Sequence, residues 1–130
     1  MKLWNTVENT IKTIPNPAKG YEQYIEVPEF TFLGVKNQPD YGVIKISFFA
    51  DKKTIELKSF KEYLFQYRDT IISYERVVDI LYQHLLESTE PSRLVLEIDL
   101  NPRGGIKSVM KRDSAWDFIE NSDIKTKIAA

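Results

Sequence analysis

Lys61 and Arg68 stand seven residues apart, which on a helix leaves them about 20° from alignment at 100° per residue. Lys58 lies just before them. Cations gathered on one helix face hold phosphates through charge-assisted hydrogen bonds; they serve equally as a solvated surface with Glu62 as local partner. Glu75 falls in the first turn of a second helical segment, where the helix dipole favours a carboxylate. The same group can accept paired N–H bonds from the edge of a guanine-like ring, a specific contact because an unpaired buried carboxylate is costly. Asp40, after Gln38-Pro39, is a turn residue or a general acid or base. Arg103-Gly104-Gly105 reads as a turn in which glycine supplies positive φ.

What the chain lacks narrows the chemistry further. It has no cysteine and one histidine, His84. Disulfides, thiolate metal sites and cysteine nucleophiles are excluded together, and a structural zinc site has no ligand set, so no metal is expected. His84, in the middle of a helical segment, reads as a surface residue. Lys36 and Ser47 are nearby amine and hydroxyl candidates for attack on an electrophile, each reacting less readily than a thiolate at neutral pH.

These residues need a scaffold. The 130 residues, 42% apolar and 28% charged with a net charge of −1, suit one globular domain. That charge draws the chain to neither nucleic acid nor an anionic membrane. No apolar run approaches the roughly 20 residues of a membrane span. Met1-Lys2-Leu3-Trp4-Asn5 lacks the core of a signal peptide, and the expectation is a cytoplasmic protein.

Residues 1–20, with Pro15, Pro17 and Gly20, read as an arm, residues 21–110 as the domain and residues 111–130 as a tail. Tyr21 to Val27 alternates and predicts a strand, ended by Pro28. Val43 to Phe49 predicts a second, with Ile44, Ile46 and Phe48 on one face. Ser59 and Glu62 fit a capping box opening a helix. Its apolar stripe is Phe60, Tyr63, Leu64, Tyr67 and Ile71, a set that reads as core. Ser73 predicts the N-cap of a second helix with the stripe Tyr74, Val77, Val78, Leu81 and Leu85, stopped by Pro91. Leu94, Leu96, Ile98 and Leu100 mark a third strand, and Ile106 to Met110 a short fourth. The order β-β-α-α-β-β predicts an α+β protein, a four-stranded antiparallel sheet with two helices on one face. Unpaired sheet edges are adhesive, so a ring oligomer is expected.

The stretch Glu56-Leu57-Lys58-Ser59-Phe60-Lys61-Glu62-Tyr63-Leu64-Phe65-Gln66-Tyr67-Arg68 resembles the signature of the nitrile reductase (QueF) family. Pro28-Glu29-Phe30-Thr31-Phe32-Leu33, Gln38-Pro39-Asp40, Glu75 and Arg103-Gly104-Gly105-Ile106 follow in the family's order, and the likeness spans about Pro15 to Ser108. The resemblance implies the tunnelling fold (T-fold), whose subunits join sheets into a ring barrel with sites between them. It implies reduction of 7-cyano-7-deazaguanine to its aminomethyl product with NADPH, on the way to queuosine in tRNA, and so a small purine-like ligand rather than nucleic acid. It assigns Asp40 to catalysis, and Glu75, Glu56, Ser59 and Tyr74 to the substrate. Lys58, Lys61, Arg68 and Arg103 fall to the cofactor. Three departures stand out. Gly34 occupies the place of the family's nucleophilic cysteine, whose thiolate adds to the nitrile before two hydrides reduce the adduct. The loop from Gly34 to Asp40 is one residue shorter, and Tyr74 replaces a histidine. These departures leave four readings open: a diverged heterocycle-binding protein, an enzyme with changed chemistry on a purine or pterin, an ordinary reductase, and a non-catalytic ring scaffold subunit.

Overall fold

A computed structural model describes residues 2–119. Four long strands, β3 (Gln23–Leu33), β4 (Pro39–Phe49), β7 (Arg93–Leu100) and β8 (Val109–Asp113), pair antiparallel in that order. Their alternation is the reason they form a sheet. Ile44, Ile46 and Phe48 of β4 and Leu94, Leu96 and Ile98 of β7 are all buried, while their neighbours are half-exposed or exposed. The buried face packs under α1 (Leu57–Phe65) and α2 (Tyr74–Thr89), and α3 (Ser114–Ile119) follows β8.

The sheet is six-stranded and mixed rather than four-stranded and antiparallel. β6 (Thr70–Ile71) pairs parallel with β3 at Leu33, and β1 (Lys2–Leu3) pairs parallel with β6. A separate two-stranded sheet joins β2 (Thr13–Pro15) to β5 (Lys53–Ile55). Strands therefore lie within the segment read as an arm. They are held by the buried Ile11 and by reciprocal bonds between Gln66 and the backbone of Glu8 at 2.9 Å each.

Pro28 does not end β3. The register shifts between Val27, opposite Ile44, and Phe30, opposite Gly42. This bulge restores the phase, so Val27 and Phe30 both face the helices. A bulge is where a sheet tolerates proline, because no ladder bond is lost. The last strand also starts later than Ile106. Arg103 and Ile106 exchange backbone bonds of 3.1 and 3.0 Å around Gly104 and Gly105, whose φ values are +58° and +78°. A two-residue hairpin turn of this kind needs positive φ at both positions, so the chain turns once before β8 begins.

The first helix opens on Glu56 rather than on a Ser59–Glu62 box. The Glu56 carboxylate accepts the amide of Lys58 at 2.5 Å and that of Ser59 at 3.2 Å. A negative N-cap satisfies orphan amides and meets the helix dipole together. Phe60, Tyr63, Leu64 and Tyr67 are buried as the stripe requires. Ile71 is not helical: α1 ends at Phe65, tightens into a 3-10 turn over Gln66–Asp69, and passes into β6. Thr70 and Ile71 are β-branched and lose χ1 freedom in a helix, and the Thr70 hydroxyl bonds the Gln66 carbonyl at 2.5 Å. The second helix begins as expected, with the Ser73 hydroxyl accepting the Arg76 amide at 3.2 Å.

Candidate functional site

The C-terminal end of β3, the first residues of β4, the β7–β8 turn and the N-terminus of α2 converge at one end of the sheet. Leu33 pairs with Pro39, and between them Gly34 N–H donates to the Gln38 carbonyl at 2.8 Å while Asn37 N–H donates to the Gly34 carbonyl at 2.7 Å. Asn37 takes φ +59° to close this tight loop. Its shortness brings Asp40 against residue 34. A Cβ built on Gly34 lies 2.7 Å from Asp40 Oδ2 and 3.5 Å from the Gln38 carbonyl. Gly34 is itself buried. The first atom of any side chain at position 34 thus competes with the Asp40 carboxylate for one volume.

That carboxylate is held. Arg103 places a guanidinium nitrogen 2.6 Å from Asp40 Oδ1 and donates to the Pro39 carbonyl at 3.1 Å. The Asp40 side chain is 15% exposed and that of Arg103 51%. The pairing follows from register: Gly42 faces Leu100 and the Asn101 amide donates to the Tyr41 carbonyl at 3.0 Å, so the residues beyond each meet. Sequence reasoning named both residues but gave Asp40 to catalysis and Arg103 to the cofactor. Their contact depends on β4–β7 pairing, which neither motif encodes.

α2 enters the site from above, where Ile72 N–H donates to the Leu33 carbonyl at 2.9 Å. Glu75 is exposed in its first turn. Tyr74 turns toward β7 and β8, its hydroxyl donating to the Ile98 carbonyl at 2.5 Å and to that of Ser108 at 3.4 Å. Burial raises its phenol above the ordinary value of 10.0, which suits an anchor better than a base at neutral pH.

Of the expected cofactor residues, Arg103 stands at this end of the sheet and Lys58, Lys61 and Arg68 lie elsewhere. Lys61 and Arg68 line a groove of about 460 Å³ between α1 and β3, with Leu57, Phe60 and Phe65 on the same wall and Ile25, Val27 and Phe30 opposite. The Arg68 guanidinium sits 4.2 Å from the Phe65 ring centre and the Lys61 ammonium 5.9 Å from it. The two cations therefore flank an exposed aromatic. Glu56 and Ser59 are engaged by the fold: Glu56 caps α1, and the Ser59 hydroxyl accepts the Lys12 amide at 2.8 Å and donates to the Glu56 carbonyl at 2.8 Å. Lys58 is exposed at the start of α1.

Two features escaped the sequence reading. His84 is half-buried, its Nδ1 2.7 Å from the Tyr63 hydroxyl, which lies 2.7 Å from that of Tyr67. The helical spacing of Tyr63 and Tyr67 was visible, but the cross-helix partner was not. Trp4, which opens the 3-10 turn after β1, stacks on Arg76, whose guanidinium carbon lies 3.9 Å from the ring centre. No local pattern links an N-terminal tryptophan to the second helix. Among the described residues no cluster of three or more His, Asp or Glu is grouped as a metal site would require. No helix among them is long and apolar enough to cross a membrane.

Comparison with known proteins agrees with this fold. The family model for QueF-like protein matches residues 39–116. The NADPH-dependent 7-cyano-7-deazaguanine reductase of Parasynechococcus marenigrum is 37% identical over 98 residues, 75% of this chain and 74% of the relative. The protein of the same name from Chlorobaculum parvum is 40% identical over 91 residues, covering 69% and 78%. Among solved structures, the apo archaeosine synthase QueF-Like superposes with a TM-score of 0.67 at 10% identity, over 74% of this chain and 95% of that one, a likeness of fold. By sequence and by architecture, the chain belongs to the QueF-like family.

Proposed function

We propose that this chain is a diverged QueF-like protein that holds a 7-deazaguanine-like heterocycle at the sheet end and no longer reduces a nitrile. One observation carries the reading: the place where a nucleophile's side chain would begin is filled by Asp40 Oδ2, 2.7 Å from a Cβ on Gly34. Glycine offers no group to attack a carbon, and Asp40 is committed to Arg103. A covalent nucleophile divides one hard step into two easier ones, and its removal costs on the order of 10⁴–10⁶ in rate. Recognition asks less. Glu75 is free to accept two N–H bonds from the ring edge. Tyr74 braces the helix turn that carries it, while Glu56 and Ser59 fix the start of α1.

NADPH is the cofactor of the named reductases and would supply hydride. The groove beside α1 fits such a group through Lys61 and Arg68 at its rim, with Lys58 one turn away and Arg103 at the sheet end. A second reading, acid–base chemistry by Asp40 on a related heterocycle, is favoured by the same placement of its carboxylate.

A ring assembly fits the sheet. Among the described residues, β3 is paired on one side by β4 and on the other only at Leu33. On the face away from the helices, Glu26, Lys45, Glu97 and Lys111 are successive partners across β3, β4, β7 and β8. This row of alternating charge ends negative at one edge and positive at the other. A head-to-tail contact of β8 on the next β3 continues it without like-charge pairs.

The test is calorimetric titration with 7-cyano-7-deazaguanine alongside NADPH consumption. Binding without turnover is expected. Turnover at the rate of cysteine-containing relatives contradicts the reading.

A further inference from the structure

We propose that the cleft at the β3 bulge is a binding site for a sugar ring carrying a vicinal diol. The bulge builds the cleft. Between Val27, opposite Ile44, and Phe30, opposite Gly42, two residues of β3 stand against Val43 alone. Those two, Pro28 and Glu29, line a cleft of about 360 Å³ with Thr31, Tyr41, Gly42 and Asn101. Thr31 pairs with Tyr41, and the Tyr41 carbonyl accepts the Asn101 amide at 3.0 Å, so three polar residues form one row across β3, β4 and the end of β7. A bulge re-aims side chains and is over-represented beside functional sites.

The polar groups of this cleft are unused by the fold. Among the described residues, the side chains of Glu29, Thr31, Tyr41 and Asn101 have no hydrogen-bond or ion-pair partner. Tyr41 stands apart among the seven tyrosines, since the hydroxyls of Tyr21, Tyr24, Tyr63, Tyr67, Tyr74 and Tyr82 all bond within the chain. Exposure does not explain the difference. Tyr24 is 55% exposed and closes on Glu26 at 2.6 Å, whereas Tyr41 is 53% exposed and shares its cleft with Glu29 without closing on it. The lining selects by charge and by donor count. Glu29 is its one charged residue, so phosphates and carboxylates are repelled. An ammonium only donates, and would leave the Asn101 amide and the two hydroxyl protons unused. Adjacent sugar hydroxyls donate and accept at once: the pair donates to the two oxygens of Glu29 and accepts from Asn101, Thr31 and Tyr41.

The probes are methyl ribofuranoside, which carries the diol, and its deoxy analogue, which lacks one of the two hydroxyls. Each is titrated into the isotope-labelled full chain and followed by NMR at the Asn101 side-chain amide and the Tyr41 ring. The expected result is saturable shifts at both residues with the diol. The deoxy analogue should bind weaker by roughly five- to tenfold, the loss of one charge-assisted bond at an exposed carboxylate. Glu29→Gln and Tyr41→Phe should weaken the diol to a similar degree; both keep the shape of an exposed side chain, and an unchanged Tm checks their folding. Equal affinity for the two furanosides, binding like the parent in Glu29→Gln, or no shifts at all overturns the proposal. So do shifts confined to Phe65 and Arg68 of the groove beside α1, which shares Pro28, Glu29 and Thr31 with the cleft. The heterocycle reading is decided separately, by its own titration.

Discussion

Adding a side chain at residue 34 is the sharpest perturbation the geometry offers. An ordinary contact to a Cβ begins near 3.4 Å, and the Asp40 oxygen is at 2.7 Å, so Gly34→Ala must displace the carboxylate by at least the difference, 0.7 Å. Moved along the line to Arg103, that shift stretches the 2.6 Å contact to about 3.3 Å, outside the 2.7–2.9 Å range of a strong charge-assisted bond. Hydrogen bonds to charged groups contribute about 1.5–3 kcal/mol when buried. The half-exposed guanidinium lowers this toward about 1 kcal/mol. Opposing it, glycine to alanine at an unstrained position stabilises by about 0.4–1 kcal/mol through the unfolded chain. Gly34 is outside the positive-φ set, so that gain applies. The net expectation is a loss of about 0–0.6 kcal/mol, the bond discounted to about 1 kcal/mol for exposure and then reduced by the chain-entropy gain of about 0.4–1 kcal/mol. Urea unfolding of wild type, Gly34→Ala, Arg103→Gln and the double variant measures it. A coupling of about 1 kcal/mol between the two sites is expected, because with Arg103 gone the displaced carboxylate has no pair to lose. Gly34→Ala more stable than wild type, with additive effects, refutes the reasoning. Gly34→Cys extends the test: beside Asp40 its thiol should titrate above the ordinary value of about 8.5, and it should not restore nitrile reduction unless the loop is also lengthened by one residue.

Gly42 carries a second steric prediction. A Cβ there would lie 2.8 Å from the Asp99 carbonyl oxygen and 3.0 Å from Leu100. Gly42→Ala should cost about 2 kcal/mol, read as a fall in Tm of roughly 6–10 °C. Burial holds His84 below its ordinary 6.5, against a smaller upward pull from Glu87. The unfolded state therefore binds the proton first. The contribution is complete above about pH 6.5 and declines as pH falls through that value, levelling below the folded pKa. Denaturation across pH 5–8 should show this slope in wild type and lose it in His84→Gln; Tyr63, at 2.7 Å, is the uncharged neighbour across the helices. Lys111→Glu should weaken subunit association measured by sedimentation, and adding Glu26→Lys should recover it. Independent effects of the two charges would remove the head-to-tail arrangement.

Local periodicity carried most of the scaffold. Phe60, Tyr63, Leu64 and Tyr67, and then Val77, Leu81 and Leu85, are buried because a helix turns apolar spacing directly into a packed face. Leu94, Leu96 and Ile98 did the same at period two. The reading failed where a non-local contact outweighed a local signal. Pro28 looks like a stop until β4 is present to accommodate a bulge. Ser59 looks like a cap until Lys12 arrives to take its hydroxyl and Glu56 takes the helix end. Ile71 looks helical until β1 and β3 offer strand partners on both sides. The candidate site was legible as residue types, since Gly34, Asp40, Glu75 and Arg103 were all named. The ion pair between Asp40 and Arg103 and the stack of Trp4 on Arg76 were not, because each joins segments that only the sheet brings together.

The central claim is that recognition outlives reduction. It is tested most directly by following NADPH oxidation with 7-cyano-7-deazaguanine in a sample whose ligand occupancy is measured by calorimetry, with a cysteine-containing relative as the standard. The account predicts saturable binding and a rate lower than the standard by on the order of 10⁴ or more. A bound sample that oxidises NADPH at the standard's rate, or one that binds nothing, contradicts it.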